Sequence, residues 1–254
     1  MTVIYSLATV LEYHCSTGTW KSHRVDLLGQ NVTLPELLRV WILTKKILRP
    51  EEGKTEEGKD YLWYELDFFT WWNSSTTCRV LCIGAPQEMN TELKTLLVGP
   101  QPPSFELQDP FAMLRPLFDE IIKLCDENTW RVAKSVRVIE RVRRLLLCNQ
   151  LPLNANTVKF QNRRDSPDFE GLRNLARHTG HLVEVEQVAI ETMEQLVGRQ
   201  ESNFKNLNGL TKTYEMQAKE YLLFQLQMMK SLRWRAQSTQ DRLEEEITLV
   251  AYVT

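Results

Sequence analysis

The sequence predicts an α+β fold: a small N-terminal α/β domain over 1–100, then three long antiparallel α-helices over 101–254. Three observations predict it. Short segments rich in aromatic and β-branched residues, the texture of strands, are confined to the first hundred positions. Gly99-Pro-Gln-Pro-Pro103 breaks the composition and marks a boundary, because successive prolines favour extended chain over helix. Beyond Asp109 the apolar residues recur in alternating steps of three and four, which is heptad spacing.

In the first hundred residues, Val3 to Tyr13, Tyr61 to Trp72 and Arg79 to Ile83 are expected strands. Between the first two, Leu34, Leu37, Leu38, Trp41, Ile42 and Lys45 follow helical spacing behind Thr33 and Pro35, so 34–48 is expected as a helix. Pro50 to Asp60 repeats Glu-Glu-Gly-Lys and is expected as a solvated connector.

Asp109-Pro110 would cap the first long helix, with Pro116 either kinking it or marking its true start. Its seam is Leu114, Phe118, Ile121, Cys125, Asn128, Val132, Ser135, Ile139, Val142 and Leu146. Ser166-Pro167-Asp168 would open the second, with seam Leu172, Leu175, Thr179, Leu182, Glu186, Ala189, Met193 and Leu196. The third, after 203–209, carries two stripes. Leu210, Tyr214, Gln217, Tyr221, Phe224 and Met228 are expected to pack on the preceding helices. The other contains Leu226, Met229, Arg233, Ala236, Gln240, Leu243 and Ile247; it would serve self-association or simply continue the intrachain packing.

Composition excludes several classes. With 43% hydrophobic and 25% charged residues the chain is neither disordered nor a disulfide scaffold. A net charge of −2 offers no general attraction to nucleic acid. No window approaches the about 20 consecutive apolar residues of a membrane span. The five scattered cysteines, Cys15, Cys78, Cys82, Cys125 and Cys148, suit reduced buried thiols, and Met1 to Leu11 lacks the basic start of a signal peptide. A cytoplasmic location is expected. No phosphate loop, nucleophile elbow or His-Glu-x-x-His motif is present, so no enzyme and no certain cofactor is expected.

The sites weighed are few. His178, His181 and Glu184 share a helix face at i, i+3, i+6 and could hold a metal, although a hydrogen-bonded face is the simpler reading. Cys78 and Cys82 have no flanking ligand pair, and Trp63, Trp71 and Trp72 read as an aromatic core. Arg131, Lys134, Arg137, Arg141 and Arg144 form a basic stripe, expected to pair with Glu184, Glu191 and Glu194 rather than with nucleic acid.

The second half resembles the fungal branch of the CorA-like divalent-cation transporters. The resemblance rests on Asp109 to Ile122 with Trp130 and Val136-Arg137, on Asp168 to His178 with Glu191 to Glu194, and on Leu226 to Arg233 continuing to Ile247. It implies an α/β domain, a helical funnel and a stalk helix entering a Mg²⁺ pore, with a homo-oligomer or a full-length transporter paralogue as partner. The pore signature Gly-Met-Asn is not found, so the resemblance covers the soluble part only and no transport is expected of the chain as written. A helical scaffold binding protein partners through the stalk helix is the alternative. Asp119, Glu120, Asp126 and Glu127 are the weak candidates the resemblance allows for sensing Mg²⁺.

Overall fold

The computed structural model describes residues 8–14, 19–25, 37–48, 52–55, 59–73, 77–98, 109, 111–112, 114–147, 169–204 and 211–253. The fold is α+β. Strands β1 (Ala8–His14), β2 (Thr19–Val25), β3 (Leu37–Ile47), β4 (Tyr61–Asn73) and β5 (Thr77–Ile83) precede helices α1 (Gln87–Val98), α2 (Leu114–Leu147), α3 (Phe169–Phe204) and α4 (Lys212–Val253). The sheet is antiparallel throughout, in the order β2-β1-β5-β4-β3.

The helix expected over 34–48 is a strand. In β3, Val40, Ile42 and Thr44 alternate into the core opposite Phe68, Leu66 and Tyr64 of β4. Leu43 and Ile47, on the opposite face, pack with Val132, Leu182 and Val185 of α2 and α3. A strand covered on both faces reads as a nearly continuous apolar run, which periodicity alone does not separate from a buried helix. The pairing with β4, eleven residues long, decides it. Strand β2 and helix α1 were not foreseen, although Met89 and Leu93, four apart and both buried, carry the signal for α1.

The turn from β5 into α1 depends on Gly84. Its φ is 73°, and a Cβ there would lie 2.0 Å from the carbonyl oxygen of Glu65. Backbone, not a movable side chain, stands in the way.

Helix α2 begins at Leu114 rather than Asp109, so Pro116 sits in the first turn, where its missing N–H costs nothing. Asp109 still terminates the chain entering it. Its carboxylate accepts the Phe111 N–H at 2.9 Å and the Tyr214 hydroxyl of α4 at 2.8 Å. The α2 seam is buried as spaced from Leu114 to Val132. It then moves from Ser135, which is exposed, to Val136, which is fully buried. A straight helix drifts by about 20° per heptad against a 3.5-residue repeat, and over three heptads that shifts the buried face by one position. On α3 the foreseen seam lies inward along its length, with Leu175 half-buried.

On α4 the second stripe continues the intrachain packing, one of its two expected roles. Leu226, Met229, Ala236 and Leu243 are buried against α2 and α3, and Ile247 packs beside Val136 and Leu172. Of the two roles open to these residues, self-association or intrachain packing, they take the second. Phe224 and Met228, expected inside, are exposed, Phe224 at 63%. The stretch 99–103, the expected domain boundary, lies outside the described residues. On either side of it a single cluster joins Val40, Leu66, Phe68 and Val80 of the sheet to Phe118, Ile121, Met193 and Met229 of the helices.

Gly84→Ala should lower stability in urea unfolding by more than about 2 kcal/mol, combining positive φ with the clash. Gly53→Ala, at φ 76° with nothing within 4 Å, should cost about 1 kcal/mol.

Candidate functional site

The four carboxylates weighed for Mg²⁺ face different partners. Asp119 accepts from the Tyr221 hydroxyl and from Gln225 Nε2 at 2.8 Å, both on α4. Glu120 lies 3.7 Å from Lys123, which also binds Glu92 of α1. Asp126 pairs with Arg235 at 3.3 Å, and Glu127 with Arg131 at 2.6 Å. Glu120 and Glu127 line an open groove with Glu88 and Glu92, but Lys46 and Lys123 stand among them. Among the described residues no group of three or more His, Cys, Asp or Glu side chains converges to hold a metal.

The basic stripe of α2 also pairs differently from expectation. Arg131 donates to Glu52 at 2.5 Å and to the carbonyl of Ile47 at 2.7 Å, which pins the acidic connector at Glu52 while residues 52–54 stay exposed as expected. Arg137 lies 5.0 Å from the Trp130 ring centroid, with Arg235 of α4 over the same ring at 4.5 Å. Glu194 pairs with Lys230, and Glu191 accepts from Gln187. Cys82 and Cys125 are buried free thiols, and desolvation pushes both up to about 12, which keeps them protonated at neutral pH.

His178, His181 and Glu184 do not form a metal site; a lysine occupies that ground. Lys45 of β3 is only 2% exposed, and its Nζ stands 3.0 Å from His181 Nδ1. The same ammonium lies over the rings of Tyr61 at 4.0 Å and Trp63 at 4.9 Å, both on β4. The cross-strand pairs Lys45–Trp63 and Ile47–Tyr61 build this box. Helix α3 closes it with His178, edge-on to Tyr61, and His181, tilted against Trp63. Asp60, just before β4, brings Oδ1 to 3.6 Å from His178 Nε2.

Burial first, and then Arg177, hold Lys45 down to about 8, with Asp60 opposing. Burial and then Lys45 hold His178 down to about 4 and depress His181 as well. At neutral pH the site therefore contains a charged lysine and two neutral imidazoles, with His181 accepting at Nδ1. Lysine at 45 gave no usable signal in the sequence, where it only completed the helical spacing expected over 34–48.

A second polar layer crosses the helices. Glu186 of α3 is fully buried and accepts from the Thr129 hydroxyl of α2 at 2.7 Å. Asn128, also buried, and the second oxygen of Glu186 have no hydrogen-bond partner among the described residues. Desolvation pushes Glu186 up to about 7 against Thr129, Arg233 and Arg235, with Asp126 adding to the rise.

Compared with known proteins, the chain matches no family model and no curated protein. Among the described residues no helix is long and apolar enough to cross a membrane.

Because the folded state raises the Glu186 pKa, it binds more protons than the unfolded chain, so this stabilisation is full below the ordinary value of 4.5 and declines as pH rises to about 7. The expected loss is about 3 kcal/mol at most. Glu186→Gln keeps an acceptor for Thr129 and should flatten that pH dependence in denaturant titrations at pH 5 and pH 8, leaving the variant more stable than the parent at pH 8.

Proposed function

We propose that this chain is the sheet-and-stalk portion of a CorA-like divalent-cation transporter, positioned on the cytoplasmic side of a membrane and working as an oligomer. The observation that carries the reading is the order of elements: an antiparallel sheet, then three long helices packed side by side, the last of 42 residues and about 60 Å. The resemblance in 109–122, 168–194 and 226–247 falls on α2, α3 and α4 in that order. The reading gives these residues a supporting and ion-sensing part and assigns none of them to a pore.

The exposed face of α4 refines where copies would meet. With Leu226, Met229, Ala236 and Leu243 already buried within the chain, self-association falls to Met216, Leu223, Phe224 and Met228, all exposed. The same face favours the second reading, a helical scaffold that receives a different protein there. Light scattering with and without millimolar MgCl₂ separates them. The transporter reading expects an oligomer whose mass responds to Mg²⁺ and which Phe224→Asp reduces to monomer without loss of helix. A strict monomer indifferent to the ion counts against it and leaves the scaffold as the better account.

A further inference from the structure

The box around Lys45 holds more hydrogen-bond donors than acceptors, and its charge is divided between inside and outside. Lys45 and His178 are buried, at 2% and 3% exposure. Among the described residues one ammonium hydrogen is satisfied by His181 Nδ1, and the ammonium otherwise faces the Tyr61 and Trp63 rings. Both ring nitrogens of His178 lack a hydrogen-bond partner among the described residues. Arg177, on the same helix, adds a guanidinium 6.0 Å from the Tyr61 centroid. The acids that face this group stand at its rim: Asp60 is 56% exposed at its side chain, and Glu184 is exposed on α3 beside His181.

We propose that Lys45, His178 and Arg177 form a receptor for a small oxyanion at the joint between the β3–β4 hairpin and α3, with the Asp60 carboxylate as the internal group that the ligand displaces. A tetrahedral dianion or a carboxylate supplies the acceptors that the buried ammonium and imidazole lack. A divalent cation would instead meet a lysine ammonium and an arginine at close range. The occupied site ties sheet to helix through charge-assisted bonds. This inference is independent of the transporter reading, since it concerns neither the α4 face nor Mg²⁺.

The test is calorimetric titration of the full chain with sodium sulfate, which does not itself titrate near neutrality, against sodium chloride at matched ionic strength. Acetate forms a second arm that separates tetrahedral anions from carboxylates. At pH 8 in two buffers of different ionisation heat, saturable one-site binding with uptake of about half a proton is expected, because the bound anion recharges Lys45. Asp60→Asn, at an exposed position, should tighten binding by about threefold or more by removing the internal competitor. Lys45→Met should abolish it. Non-saturable heats, binding without proton uptake, weaker binding in Asp60→Asn, or binding that survives in Lys45→Met would each overturn the proposal; the wild-type and Asp60→Asn titrations decide it even if Lys45→Met fails to fold.

Discussion

The structure depends on one helix face meeting two partners at once. Buried positions on α4 run Ala218, Leu222, Gln225, Met229, Leu232, Ala236, Thr239, Leu243 and Glu246, alternating four and three residues apart, with Leu226 buried beside them. That single stripe fills the groove between α2 and α3, and its Leu222, Met229 and Leu232 belong to the cluster that continues into the sheet. A sheet with an apolar face and two amphipathic helices each need a cover; α4 supplies it for the helices, and the helices supply it for the sheet. Gln225 and Glu246, polar residues within the stripe, find partners on α2. Gln225 donates to the Arg115 carbonyl and to Asp119, and Glu246 binds Arg143 bidentately. Such pairs contribute alignment more than net stability, since desolvation offsets much of their attraction.

The same packing explains where ionisable groups are perturbed. Helix α3 lies against β3 around His181 to Val185 and against α2 and α4 along its length. Closing the first contact places Lys45 and His178 away from water; closing the second does so for Glu186. In each place the shift is led by desolvation, and the nearby charges modify it. The exposed pairs, such as Lys219 with Glu201 and Lys230 with Glu194, are worth at most about 1 kcal/mol each.

How much of this was legible in the sequence follows from where the pattern was unambiguous. The seams of α2 and α3 could be read because each faces one core over many turns, and the error at Ser135 is the drift of a real helix against an ideal heptad. The β3 segment could not, because burial on both faces erased the period-two signal. On α4 both stripes were visible, but spacing does not say which neighbour a stripe meets, so it left open whether the second packed within the chain, as it does, and put Phe224 and Met228 inside, where they are exposed. The Lys45 box was beyond reach: it joins residues more than 130 positions apart, and nothing local distinguishes a lysine that enters an aromatic pocket from one in solvent. The four acids suggested by the CorA-like resemblance are all present at the surface of α2, each drawn toward a different neighbour.

The central claim, that the α4 stripe is an intrachain core and not a seam between copies, is tested most directly at Met229, which is fully buried. Met229→Lys should be measured by circular dichroism and sedimentation over a wide range of protein concentration. The account predicts loss of cooperative structure at every concentration, because an unpaired charge enters the core of a single chain. A fully helical, stably folded monomer would contradict it and return that stripe to the role of an association surface.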